Sequence, residues 1–187
     1  MLFFKVIFLF LFYSYLSRNS FINMPQRKCS VEISNNSNNY TLSQPRLFLE
    51  SGHCEIPLPP MIGPCSLVRT LFNKTTGTAT GAVGVFTYDL FNADLNDYNH
   101  VMAVMFSVPY DRNLFSNWFA VGFFSKHKKC DHRLFNSMYN GSETHFVRGK
   151  ADGSCISYES DYVVVSASMT DSVEAVLRVD ISDTGIY

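Results

Sequence analysis

Residues able to carry covalent chemistry are few in this chain, and their spacing is wrong for it. Five histidines occur, at His53, His100, His127, His132 and His145. Only His127 and His132 are close, and a spacing of five fits neither face of a helix. The stretch GTATGAVG has no Lys to complete a phosphate loop. There is no G-x-S-x-G elbow and no H-E-x-x-H pair. Asp89, Asp94, Asp97 and Asp111 fall in or beside expected loops, without the regular spacing of a hard-cation site. Cys29, Cys54, Cys65, Cys130 and Cys155 show no zinc spacing, and an odd count leaves at least one thiol unpaired in a monomer. The pattern predicts no enzyme, no cofactor and no metal.

Non-covalent chemistry is better represented. The segment PYDRNLFSNWF, residues 109–119, opens as a polar turn between two apolar strands. Leu114, Phe115, Trp118 and Phe119 follow at once. Such side chains either pack inward or stand exposed as a binding surface, and aromatic rings beside a turn suit the headgroup region of a bilayer. Phe135, Met138 and Tyr139 form a second set. Leu134 and Met138 can pack on a sheet, leaving Phe135 and Tyr139 partly outward, where rings hold a quaternary ammonium such as choline by cation–π attraction.

The elements that must position these residues are mostly strands. With 187 residues, 47% hydrophobic and 17% charged, the chain suits one domain with a sizeable core. Its 15 basic and 16 acidic residues carry no footprint for nucleic acid. CSVEIS, RLFLES, SLVRTLF, AVGVFTYDLF, HVMAVMFSVP, WFAVGFFS, SCISYE, YVVVSASMT and EAVLRVDIS read as strands between turn residues. IPLPPMIGPC reads as an irregular, proline-rich surface loop. One helix is expected over 131–140, capped by Asp131 and ended at Gly141. Nine or ten strands with one or two short helices make an antiparallel β-sandwich over residues 29–187, after a short linker at 21–28.

Residues 1–20 stand apart. MLFFKVIFLFLFYSYL is nearly continuous apolar sequence, short for a bilayer span, and reads as a cleaved secretory signal or as an uncleaved N-terminal hydrophobic anchor. Four Asn-x-Ser/Thr acceptors, at Asn35, Asn39, Asn73 and Asn140, agree with secretion.

Two blocks carry a family resemblance. Ala79-Thr80-Gly81-Ala82-Val83-Gly84-Val85 is one, and Met105-Phe106-Ser107-Val108-Pro109-Tyr110-Asp111, continuing through Asn113, Ser116, Asn117 and Trp118, is the other. With Arg133–Asn140 they resemble the actinoporins, the sea-anemone pore-forming cytolysins, and more closely their vertebrate actinoporin-like relatives. The likeness runs from about Cys29 to Ile181. It implies a β-sandwich flanked by two helices that binds phosphocholine headgroups, prefers sphingomyelin, and opens cation-selective pores by inserting an N-terminal amphipathic helix. By position, Ser51, Val83, Ser107, Pro109, Phe135, Tyr139 and Asn140 fall where the family holds phosphocholine. Leu114, Phe115 and Trp118 fall on its membrane-facing loop. The implied partners are membrane lipids, together with further copies of the chain on the membrane.

This chain departs from the family in three places. Leu114 and Phe115 replace a Trp and a Tyr, and Phe135 and Asn140 replace two Tyr. Residues 1–16 are apolar on every side and offer no polar face to line a pore. Cleavage near residue 20 leaves about ten residues before the first strand, or ~15 Å of helix against a hydrocarbon core of ~30 Å. Lipid binding without perforation is the resulting expectation. The alternative is a secreted lectin-like module that uses the same site for a glycan or a choline-bearing ligand.

Overall fold

The computed structural model describes residues 26–93, 97–141 and 144–184. The expected signal segment and most of the linker lie outside them. Two six-stranded sheets face each other. The first runs β10 (Cys155–Glu159), β11 (Val163–Met169), β12 (Glu174–Asp183), β1 (Lys28–Asn35), β5 (Ser66–Asn73) and β3 (His53–Ile56). The second runs β4 (Met61–Ile62), β2 (Tyr40–Ser51), β6 (Ala82–Asn92), β7 (Asp97–Val108), β8 (Trp118–Ser125) and β9 (Phe146–Lys150). The sandwich is all-β, as expected, and its pairs are antiparallel except β1–β12, which run parallel with Lys28 opposite Glu174.

Hydrophobic periodicity explains how the two sheets differ. In the first, β1 and β11 alternate strictly between buried and half-buried positions. One face meets the core and the other meets solvent. The solvent face is polar: Glu32 accepts from both Arg178 and Arg69, and these bonds hold its carboxyl below the usual range. In the second sheet, β6 and β8 are almost continuously buried. Phe86, Tyr88, Val104, Phe106, Phe119 and Val121 point into the sandwich, where Phe72 stacks on Phe106 at 4.5 Å. Val85, Ala103, Met105 and Ala120 point out, yet they are equally buried. A helix covers them.

That helix, α1 (His132–Asn140), is the only one among the described residues. Asp131 caps it through one carboxylate oxygen, which accepts from Arg133 N at 3.0 Å and Leu134 N at 3.1 Å. Leu134 and Met138 are fully buried against the sheet, as their spacing predicts. Gly141 closes the helix in an ordinary extended conformation, its N–H donating to Ser137 O at 2.7 Å.

Three short strands were not legible in advance. β3 and β9 have only four and five residues, and β4 lies inside the proline-rich segment that reads as an irregular loop. Met61 and Ile62 pair there with Ser43 and Leu42. Ile62 is buried and fixes this segment to the core. Of the four Asn-x-Ser/Thr sites, Asn35 is wholly buried, with its side chain donating to Tyr40 O and Ile62 O. It is closed to glycosylation once folded, whereas Asn39 and Asn140 are exposed.

Closure of β9 on β8 depends on Gly122. A Cβ there would fall on His145 O and within 2.5 Å of Phe146 Cβ. Gly122→Ala is expected to cost about 1–3 kcal/mol, as overpacking does, and to lower the thermal unfolding midpoint. An unchanged midpoint would show that β9 is free to stand off.

Candidate functional site

Strand register assembles the site. Ser51 pairs with Val83, Val83 with Ser107, Ser107 with Trp118, and Trp118 with Lys150. These five residues form one row across β2, β6, β7, β8 and β9. Residues directly opposite in antiparallel strands share a face, here the outer one, and α1 covers its neighbouring row of Phe48, Val85, Met105 and Ala120. The polar row lies beside the one the helix covers: Ser51, Val83 and Trp118 are half-buried, Ser107 is buried and Lys150 is exposed.

The helix lines that strip with aromatic rings. Phe135 and Tyr139 stack at 5.6 Å with an interplanar angle of 16°. Phe135 also lies 6.2 Å from Phe48 and is only 6% exposed. Its expected outward position is thus corrected: Phe135 belongs to the packed face, because Phe48 closes over it. Tyr139 is half-buried and faces the strip's edge. Asn140 is exposed at the helix end and donates to Asn136 at 2.6 Å. Ser51 donates to Gly81 O at 3.0 Å, and Ser107 is buried.

The turn that follows β7 is organised from within and clamped from outside. Asp111 accepts from Asn113 N at 2.9 Å and Leu114 N at 3.4 Å, while Phe115 N donates to Asp111 O at 3.0 Å. This tight turn throws Leu114 and Phe115 outward, 75% and 54% exposed. Arg27, 7% exposed, donates its Nε to Pro109 O and Tyr110 O, both at 3.0 Å. Its guanidinium lies 5.3 Å from the Tyr110 ring, and the Lys74 ammonium lies 5.5 Å from the same ring. Asn117, fully buried, donates to Ser172 O at 2.8 Å, and Arg112 pairs with Asp171. A cleft of about 490 Å³ opens between Arg27, Arg112 and Val173.

Trp118 differs from expectation. It is half-buried rather than substantially exposed, because the Arg148 guanidinium lies over its ring at 4.5 Å. The same guanidinium donates to Tyr139 O at the C-terminus of α1. Arg27, Lys74 and Arg148 were all missed by sequence reasoning. A buried Arg or Lys has no sequence signal, and Arg148 sits on the short β9 that the pattern did not reveal.

The candidate cation ligands do not converge. Asp89 pairs with Arg46, and Asp111 serves its own turn. Asp94 lies outside the described residues, as does the side chain of Asp97. All five cysteines are thiols, and Cys29 is buried, which pushes its thiol far up.

Residues 19–183 match the family model for sea anemone cytotoxic protein. The chain belongs to that family. Among its relatives is DELTA-stichotoxin-Hcr4b of Radianthus crispa, 32% identical over 83% of this chain and 82% of that one. DELTA-actitoxin-Ucs1a of Urticina crassicornis is 28% identical over 83% of this chain and 66% of that one. Other relatives align over less of their length: DELTA-alicitoxin-Pse1b of Phyllodiscus semoni matches over 40% of its own. A solved structure of a protein titled lipid binding protein Nakanori shares the fold, with a TM-score of 0.60 and 14% identity over 83% of this chain and 71% of that one. Family membership makes this a member of a cytolysin family and not an enzyme.

The Arg27 clamp generates a test. Arg27→Met keeps an apolar stem but strips donors from two carbonyls at the base of the turn, which costs about 1–3 kcal/mol when such groups stay buried. Amide hydrogen exchange over residues 111–116 is expected to quicken in the variant, while protection in β6 and β7 persists. Unaltered protection of the turn would show that it holds its shape without Arg27.

Proposed function

We propose that this chain is a secreted protein that attaches to membranes by holding phosphocholine-type lipid headgroups in the strip between α1 and the 109–117 turn. Ser51, Val83, Ser107, Pro109, Tyr139 and Asn140 border the headgroup. Phe135 supports Tyr139 from beneath. Leu114 and Phe115 enter the interface, and Trp118 forms the floor at the strip's edge. The observation that carries this reading is the pair of outward apolar side chains on a rigid turn, directly beside an open polar strip on the same sheet. A turn with that load is costly in water and favourable at a headgroup boundary.

Attachment is separable from perforation. The headgroup strip, the turn and its clamps all lie within residues 26–184, and no helix among the described residues is long and apolar enough to cross a membrane. The family resemblance puts its inserting helix before the first strand, in residues before Gln26. The apolar character of residues 1–16 argues against a pore-lining face there. Sphingomyelin is the lipid that the family resemblance implies for the test.

The test uses the secreted chain begun near Phe21 and sphingomyelin-containing vesicles. Moving an exposed Leu or Phe side chain out of water contributes about 1.5–3 kcal/mol. Replacing Leu114 and Phe115 together by Ala is therefore expected to weaken vesicle partitioning about tenfold or more. Trp118→Ala is expected to cost less, since its ring is already covered. Soluble phosphocholine should compete, and entrapped dye should stay inside the vesicles at saturating protein. Partitioning that ignores the double substitution would sink the interfacial role of the turn. Robust dye release would restore a full cytolysin, and glycan-dependent binding without lipid binding would favour the lectin-like alternative.

A further inference from the structure

We infer that the strip reads a lipid headgroup through its phosphodiester, with Arg148 as the anion-binding residue, and that the choline group contributes little. This inference rests on the proposed headgroup site and names the part of the ligand that the site recognises.

Three observations meet at Arg148. Its guanidinium lies over the Trp118 ring at 4.5 Å, so the face a quaternary ammonium would use is already taken by an internal cation. Its Nη1 donates to Tyr139 O, which anchors it beside the strip. Among the described residues its Nε and Nη2 meet no protein acceptor, and the side chain is exposed. A guanidinium held flat by a ring, with one edge unused among the described residues, presents the paired donors that fit two oxygens of a phosphate. Lys150, exposed and directly opposite Trp118, adds a second positive charge on the same face.

The aromatic side of the strip is correspondingly poor. A choline cage needs ring faces open around the cation. Phe135 is buried between Phe48 and Tyr139, and Trp118 is covered. Tyr139 alone keeps part of its ring open, and the nearby guanidinium repels a second cation there. The hydroxyls that the family's tyrosines bring at the positions of Phe115, Phe135 and Asn140 are absent as well. The positive charge of Arg148 replaces them as the phosphate donor. Phosphodiesters of choline and of ethanolamine then bind alike.

The test reads the site directly, because Trp118 is the one tryptophan in the chain. Its fluorescence is titrated with glycerophosphocholine, glycerophosphoethanolamine, choline chloride and inorganic phosphate, in the wild-type chain and in Arg148→Gln and Arg148→Lys. Both diesters are expected to shift the emission with midpoints within about threefold, since each offers the same charged oxygens. Choline chloride should leave it unchanged. Arg148→Gln should raise both midpoints about tenfold or more, as loss of a charge-assisted bond does. Arg148→Lys should fall between, keeping the charge but losing the fork. Near-ultraviolet circular dichroism confirms that each variant is folded, and should Arg148→Gln not fold, Arg148→Lys carries the comparison.

A shift by choline alone, or a glycerophosphocholine midpoint far below that of glycerophosphoethanolamine, would overturn the inference. Midpoints indifferent to Arg148→Lys and Arg148→Gln would do the same. Inorganic phosphate binding more tightly than either diester would overturn the headgroup assignment in favour of a free-phosphate site. Vesicle binding without any headgroup response would remove this inference alone, whereas loss of both would remove the proposed function with it.

Discussion

The sheet of β4, β2, β6, β7, β8 and β9 has to bury two faces, and the rest of the molecule is arranged around that demand. Its inner face meets the other sheet, as in any sandwich. Its outer face carries Val85, Ala103, Met105 and Ala120, none of which tolerates water at this density. A nine-residue helix supplies the cover. It touches β2, β6, β7, β8 and β9 and covers the row of Phe48, Val85, Met105 and Ala120. The next row along the same strands runs from Ser51 to Lys150, where Ser51, Ser107 and Lys150 bring polar groups to the outer face. The candidate site lies beside the covered packing, where the outward residues become Ser, Val, Ser and Trp.

Cations hold this end of the molecule together, and they act on backbone carbonyls more than on carboxylates. Arg27 serves Pro109 O and Tyr110 O, Lys74 serves Thr78 O, and Arg148 serves Tyr139 O. Tyr110 lies between Arg27 and Lys74, and Trp118 lies under Arg148. A guanidinium satisfied by carbonyls and an aromatic face keeps its positive charge uncompensated. Of these three cations Arg27 and Lys74 are buried and Arg148 is exposed, beside Lys150. Net charge sums over the whole chain and carries no information on where single cations such as Arg148 sit.

Much of the fold was legible because the two sheets announce themselves differently. Strict alternation in β1 and β11 marks a sheet wet on one side. Continuous apolar runs in β6 and β8 mark one covered on both, and they imply the helix before its own pattern is considered. The capped segment 131–140 then follows from Asp131 and the Leu134–Met138 spacing. What could not be read is what depends on pairing across long sequence distances. The parallel alignment of β1 with β12 joins residues about 146 apart, and no local pattern encodes it. β4 was hidden by prolines, which interrupt a strand pattern without preventing a two-residue bridge. The site showed the same division. Ser51, Val83, Ser107 and Trp118 entered through the family resemblance, and register then placed them side by side. Phe135 was misjudged because its partner Phe48 lies on another strand. Arg148 carried no signal because its importance lies in what it touches.

The parallel β1–β12 pair bears on where the proposed attachment site sits. It fixes Lys28, whose N–H donates to Val173 O, at the end of the sandwich that carries the 109–117 turn. The preceding residue, Arg27, is bonded to that turn at Pro109 and Tyr110. Gln26 and Arg27 therefore stand beside the turn that carries Leu114 and Phe115, on the side proposed to meet lipid. The proposed attachment site and the start of the described chain thus share one structural base at this end of the sandwich. The bonds to Pro109 O, Tyr110 O and Tyr139 O come from Arg27 and Arg148, so the turn and the row beside it are held from within residues 26–184, the part of the chain on which the proposed attachment rests.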